Sequence, residues 1–211
     1  VSGNDVNSGT TLSRSSSVVT SDVSDVVQKV MPSIVSITSM SVEEVQSFFG
    51  GTYQKQSAGA GTGIIIGEND SELLIVTNNH VVEGSDTLTV SFDDETSVEA
   101  NIKGTDSAYD VAVIAVPLKS LSKETLGAIS TATLGNSEEL KVGEPAIAIG
   151  NALGYGQSVT TGVISALDRS VATTDARTGQ KKESSVNLIQ TDAAINEGNS
   201  GGALVNVNGE V

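Results

Sequence analysis

Short apolar runs punctuated by turn residues dominate the chain from Ile34 onward. Ile34–Ser39, Gly63–Gly67, Leu73–Thr77, Thr87–Phe92, Val98–Ile102, Val111–Val116, Ala146–Ile149, Ser158–Ala166, Val186–Gln190 and Ala203–Val207 are rich in valine, isoleucine and threonine. Asp93-Asp94, Gly135-Asn136 and Gly150-Asn151 lie between them as turn formers. β-branched side chains suit a pleated, half-buried surface, so these runs predict strands, and so many short ones predict an all-β barrel or sandwich. One helix is predicted ahead of them. Val23, Val26, Val27 and Val30 fall at i, i+3, i+4 and i+7, with Ser21 placed to cap the helix and Pro32 to end it. No helix-length pattern alternates with the strands, which argues against an α/β fold.

Three polar segments frame this pattern. Residues 1–20 are dominated by Ser, Thr, Gly and Val without periodicity and predict a flexible linker ahead of a domain spanning 21–211. They lack the cationic start and apolar run of a signal peptide, so a targeting segment removed, or a start inside a longer protein, is expected. Ser41–Gly61, with Phe48-Phe49-Gly50-Gly51, and Arg169–Ser185, with Arg177, Lys181 and Lys182, predict long surface loops. Such loops serve binding or gating, or are simply tolerated insertions. At the end, Asn208-Gly209 predicts a two-residue hairpin turn after Ala203–Val207. Only Glu210 and Val211 follow, so the chain is expected to be a fragment of a longer one.

Composition narrows the chemistry. The chain has 211 residues, enough for one substantial domain or two small ones. Its net charge of −15 argues against nucleic acid or an anionic membrane surface as the main partner, because either needs a basic patch. No run approaches the roughly 18 apolar residues of a membrane-spanning helix. The absence of cysteine removes disulfides, zinc fingers and thiol nucleophiles. A single histidine excludes any multi-histidine metal site, and nothing in the sequence supports a metal or a cofactor. Imidazole chemistry, if there is any, belongs to His80.

Gly198-Asn199-Ser200-Gly201-Gly202 is the segment with the most chemistry in it. Flanking glycines permit the tight backbone that exposes a serine hydroxyl and aims nearby N–H groups at one point, as an oxyanion hole requires. The same five residues fit the nucleophile elbow of α/β hydrolases, but there the histidine follows the serine. Here it lies 120 positions earlier. His80 ends the Leu73–Thr77 run, where a strand meets a turn; a lone histidine at such a place is more often a satisfied, half-buried residue than a catalyst. Two aspartates compete as its partner. Asp110 directly precedes Val111–Val116 and would be anchored by a buried strand, whereas Asp106 sits four residues earlier in polar surroundings. The order His80, Asp110, Ser200 on an all-β chain is the chymotrypsin order.

At this point the chain resembles, from about Val35 to its end, the protease domain of the HtrA/Deg family of chymotrypsin-fold serine endopeptidases. Gly61-Thr62-Gly63-Ile64-Ile65-Ile66, Thr77-Asn78-Asn79-His80-Val81-Val82 and Asp110-Val111-Ala112-Val113-Ile114 carry the resemblance. Val142-Gly143, Ala148-Ile149-Gly150-Asn151, Thr161-Gly162-Val163-Ile164-Ser165 and the stretch Gln190 through Leu204 extend it. Two prolines usual in the family are replaced by Glu197 and Ala203, which bears on loop rigidity rather than on the catalytic residues. The resemblance implies two six-stranded β-barrels, the second incomplete here, behind a short N-terminal helix. It implies Ser200 as nucleophile, His80 as general base and acid, Asp110 as the group orienting the imidazole, and an oxyanion hole from Gly198, Asn199 and Ser200. Ala194, six residues before the serine, and Ile195 would form a neutral pocket wall favouring small or aliphatic side chains; a register shift toward Asp192 would instead favour basic ones. Asn199 carries no charge to pair with a newly cut N-terminus, so loop rearrangement is the expected activation. The resemblance further implies unfolded or damaged proteins as substrates, an extracytoplasmic location with an anchor upstream of residue 1, homotrimers as a common assembly, and a PDZ domain beyond the last strands. A weak or inactive binding, chaperone-like module on the same scaffold is the rival reading.

Overall fold

Strands form where the apolar side chains alternate. In Glu72–Thr77 the side chains of Leu73, Ile75 and Thr77 are buried while those between them are only partly so. The computed structural model describes residues 22–46, 52–151, 157–169, 172–174, 181–183, 187–196 and 198–211. The linker at residues 1–20, the Ser21 cap, Phe48-Phe49-Gly50-Gly51 and Arg177 lie outside them.

Six antiparallel strands make a closed barrel: β1 (Ile34–Gln46), β2 (Thr52–Glu68), β3 (Glu72–Thr77), β4 (Thr87–Ser91), β5 (Ser97–Asp106) and β6 (Val111–Pro117). Their order around the barrel is β1-β2-β3-β6-β5-β4, which leaves no open strand edge. Val35, Ile37, Ile65, Ile75, Val90, Ile114 and Val116 fill it, each at most 1% exposed.

The second half is built from β7 (Pro145–Asn151), β8 (Gln157–Arg169), a separate antiparallel pair β9 (Ala172–Thr174) and β10 (Lys181–Glu183), then β11 (Leu188–Thr191) and β12 (Ala203–Val205). β11-β8-β7-β12 form one curled four-stranded sheet, the incomplete second barrel that the resemblance implies. Its buried Ile147, Ile149, Ala203 and Val205 pack against Ile34 and Ile64 on the outside of the first barrel. The N-terminal helix α1 (Ser24–Val30) covers this seam with Val23, Val26, Val27 and Val30, as the valine stripe predicts. Lys29 Nζ pins it by donating to the Asn208 carbonyl at 2.7 Å.

Several boundaries move. Val23, not a serine, occupies the N-cap of α1, and Asp22 Oδ1 accepts from Ser24 N at 3.0 Å. Ser41–Gln46 and Thr52–Gly61, expected as parts of a long surface loop, are strand: β1 and β2 continue through them, paired in register as far as Gln46↔Thr52. Backbone pairing is indifferent to side-chain polarity, and a ribbon without an apolar face carries no periodic signal. The β9–β10 pair similarly sits within Arg169–Ser185. The C-terminal turn is one residue longer than a two-residue hairpin. Asn206 N donates to Glu210 O at 3.0 Å and Gly209 adopts φ +77, while Asn206 Oδ1 accepts from Asn208 N and Glu210 N. That side chain braces the turn from within, and β12, which pairs with β7, ends ahead of it at Val205.

Candidate active site

His80 sits on a one-turn helix, α2 (Asn79–Val82), which follows β3 directly. Val81 and Val82 bury themselves against the barrel and leave the imidazole at the surface. Asp110 is the residue before β6, the barrel strand paired with β3, so the two side chains meet across adjacent strand ends. Asp110 Oδ2 lies 2.7 Å from His80 Nδ1, and its other oxygen, Oδ1, accepts from His80 N at 2.9 Å. With a carboxylate on Nδ1, that nitrogen carries the proton and Nε2 is the ring nitrogen left to accept one. Both side chains are about half exposed, 54% for His80 and 44% for Asp110. The imidazole is thus half exposed, bonded through Nδ1, with no hydrogen bond at Nε2 among the described residues.

Asp110 holds an unusual backbone conformation, with φ +53. Its carbonyl accepts from Asn79 N at 3.2 Å and from Asn78 Nδ2 at 2.8 Å, and these bonds fix a residue that would otherwise resist the left-handed region. Asp106 does something different: its Oδ1 accepts from Ala108 N and Tyr109 N and shapes the turn between β5 and β6. Between the two rival aspartates, only Asp110 reaches the imidazole.

Ser200 comes from the second half, in the loop before β12, and this loop is fastened to the first barrel. Thr62 N donates to the Ser200 carbonyl at 2.8 Å, Thr62 Oγ1 donates to the Gly198 carbonyl at 2.7 Å, and Gly201 N donates to Asn78 Oδ1 at 2.6 Å. Gly201 has to be glycine: its φ is +80, and a Cβ would overlap Thr62 O and Thr77 Oγ1. Gly198 also takes a positive φ, +99. Among the described residues, neither Gly198 N–H nor Ser200 N–H donates to a protein acceptor, and no hydrogen bond joins Ser200 Oγ to His80. In proteins without substrate such catalytic bonds are often long and tighten only in the complex.

A family profile for the trypsin-like peptidase domain matches residues 61–211. The chain belongs to the trypsin-like peptidase family. It is 40% identical over 197 residues to the serine protease Do-like HtrA of Bacillus subtilis, covering 90% of this chain and 41% of that protein. It is 38% identical over 196 residues to the periplasmic pH-dependent serine endoprotease DegQ of Escherichia coli, covering 87% and 39%. The solved structure of the HtrA-type protease AlgW with a tripeptide superposes with a TM-score of 0.67 at 32% identity, over 90% of this chain and 52% of that one. The resemblance to HtrA/Deg protease domains read from the motifs is thus borne out, as is the chymotrypsin-like architecture. The chain spans about two fifths of the length of these curated relatives.

Within this trypsin-like domain, the residues expected to wall a substrate pocket lie next to the Ser200 loop. Ile195 is 60% exposed, and the Ala194 carbonyl accepts from Thr160 Oγ1 on β8 at 2.8 Å. Asp192, which a shift in register would bring into play, has its Oδ1 on Val163 N at 2.7 Å, so that carboxylate oxygen is committed to the backbone of β8. Asn199 Oδ1 accepts from Ser158 Oγ at 2.6 Å, a neutral partner, and its Nδ2 is buried without an acceptor among the described residues.

Thr62 and Asn78 were not singled out as functional from sequence. Both lie in motif strings, but only the signal of a polar residue ending or interrupting an apolar strand points to them. Thr62 is completely buried, and its hydroxyl donates to Gly198 O while accepting from Asn151 N at 2.8 Å.

Proposed function

We propose that this domain hydrolyses peptide bonds as a serine endopeptidase. The observation that carries the reading is the 2.7 Å contact between His80 Nδ1 and Asp110 Oδ2, made beside a glycine-flanked serine loop anchored to the same strand ends. In this reading Ser200 Oγ attacks the scissile carbonyl and passes its proton to His80 Nε2. Asp110 holds the Nδ1–H tautomer and stabilises the imidazolium without taking the proton. The N–H groups of Gly198 and Ser200, with Asn199 between them, receive the oxyanion; one such donor is worth roughly 3 kcal/mol of barrier. Collapse of the tetrahedral intermediate returns the proton from His80 to the leaving amine, and water repeats the cycle on the acyl-enzyme.

The uncharged surface at Ala194 and Ile195, with Asp192 turned to the β8 backbone, supports a preference for small or aliphatic side chains at the cleaved position. Unfolded or damaged proteins outside the cytoplasm are the proposed substrates, supported by relatives named as periplasmic proteases. For the whole protein the family resemblance supports a homotrimer and an anchor upstream of residue 1. The neutral Ser158 contact of Asn199 supports activation by loop rearrangement rather than by a new N-terminus.

Intact-mass analysis after fluorophosphonate treatment tests the reading. A single adduct on Ser200, absent in Ser200→Ala and strongly slowed in His80→Ala, is the expected result. No casein degradation by wild type above the level of Ser200→Ala, with no adduct, would overturn it in favour of a chaperone-like module.

A further inference from the structure

We propose that Asn78 is a positioning residue that sets the nucleophile loop and Asp110 in register across the two halves of the domain, an inference that rests on the endopeptidase reading. Among the described residues, its carboxamide is the one side chain that bonds both parts of the site. Nδ2 donates to the Asp110 carbonyl at 2.8 Å, and Oδ1 accepts from Gly201 N at 2.6 Å. These partners also fix which end of the amide is which. A carbonyl can only accept and an N–H can only donate, so the reversed amide would set oxygen against oxygen and N–H against N–H.

What each bond controls follows from its place in the chain. Asp110 needs φ +53 to turn its carboxylate toward His80, and the Asn78 donor helps hold that conformation. Gly201 N belongs to the Ser200–Gly201 peptide, whose carbonyl is held in turn by Thr62 N. Both ends of this peptide unit are therefore tied to the first barrel, one through Thr62 and one through Asn78. Thr62 secures the serine loop alone. Asn78 ties the serine loop to the aspartate, and its own carbonyl accepts from Val81 N at 3.2 Å within the turn that bears His80. Misplacement of a catalytic group by about an ångström can cost 10²-fold in rate, so a residue that touches neither substrate nor the reacting atoms can still be worth that much.

The test compares wild type, Asn78→Ala and Asn78→Asp in the rate of Ser200 labelling by a fluorophosphonate, in kcat and KM on one peptide substrate, and in thermal stability. Asn78→Ala is expected to slow labelling and lower kcat by about 10- to 100-fold while KM changes less than about twofold. Asn78→Asp supplies a readout that loss of packing does not move. A neutral carboxyl reproduces both bonds, its O–H donating to Asp110 O and its C=O accepting from Gly201 N. The carboxylate has no donor and faces a carbonyl.

The titratable groups around position 78 are His80 and Asp110, and Asp106 is turned to the amides of Ala108 and Tyr109. Thr62, Thr77 and the Ser200–Gly201 backbone are uncharged. The negative charge of Asp110 raises the pKa of a new acid beside it. The ratio of variant to wild-type labelling is therefore expected to climb at least fivefold as the pH is lowered from 8 to about 5.5; taking the ratio cancels any pH dependence that the two proteins share. A labelled wild type with Asn78→Ala equally fast, or a flat Asn78→Asp ratio, overturns this proposal alone. An unlabelled wild type overturns the endopeptidase reading and this proposal with it.

Discussion

The two halves of the domain hold their chemistry in different ways. In the first, six strands close on themselves, and His80 and Asp110 stand at the ends of two paired strands, joined by bonds that never leave the barrel. In the second, four strands form an open sheet, and the loop bearing Ser200 draws its anchorage from Thr62 and Asn78 of the other half. In the proposed mechanism the base and its orienting acid thus come ready-made from one closed unit. The proposed nucleophile, Ser200, is positioned by borrowing that unit's edge. Perturbations confined to the barrel should act through stability or through the imidazole, while perturbations at the seam should move the serine loop, and at Asn78 the aspartate with it.

The largest effect is expected where the comparison is sharpest. Asp110→Asn keeps the shape of the side chain but lets His80 adopt the wrong tautomer; loss of the corresponding carboxylate in a well-studied triad costs about 10⁴-fold in kcat. Peptide hydrolysis by Asp110→Asn should fall by a comparable factor with thermal stability little changed. A loss below about tenfold would mean that Asp110 does not orient the base.

Next comes the barrel core. Ile114 is fully buried within it, and Ile114→Ala should destabilise the fold by about 2–5 kcal/mol in urea titration. Labelling of the remaining folded fraction should proceed at the wild-type rate, because the cavity lies in the barrel core and not at the serine loop.

At the seam, Thr62→Val removes a hydroxyl of nearly the same volume and leaves the buried Gly198 carbonyl and Asn151 N–H without it. A loss of about 1–3 kcal/mol is expected, with labelling slowed beyond what the unfolded fraction explains. Thr62→Val with an unchanged labelling rate would weaken the comparison, since the hydroxyl bond from the barrel to Gly198 would then do nothing to place the serine loop.

How much of this was legible follows from what each signal measures. The strands of the barrel were readable because β-branched residues alternate there, and Asp110 stood out from Asp106 by its place before a buried strand. The order of His80, Asp110 and Ser200 narrowed the fold to one arrangement. The extension of β1 and β2 through Ser41–Gly61 was not readable, because exposed backbone pairing leaves no hydrophobic period. The C-terminal turn was misjudged because the Asn206 side chain, two residues before Asn208-Gly209, takes the bonds that a tight hairpin would make. The seam itself was the least visible. Thr62 and Asn78 hold the serine loop through partners more than 120 residues away, and no local pattern encodes such a distance.

The smallest effect separates the barrel from the seam by pH. Asp94, in the turn between β4 and β5, accepts from Thr125 Oγ1 at 2.6 Å and from Thr96 N at 3.0 Å, tying the turn to the short helix α3 (Lys123–Ala128), whose N-cap is Ser122. The Thr125 hydroxyl first, and then the Thr96 N–H, hold its carboxyl below the ordinary aspartate value of 3.8. A carboxyl with a lower pKa in the folded than in the unfolded chain stabilises the fold above the unfolded pKa, and that contribution disappears as pH falls through the folded one. Asp94→Asn still offers an oxygen to Thr125 but no charge, so its melting temperature should lie slightly below that of wild type at pH 7. The gap should narrow as the pH is taken through and below 3.8, with Ser200 labelling unaffected at neutral pH. A gap that stayed constant down to that range would show that the turn is held by packing, and that the barrel owes nothing there to ionisation.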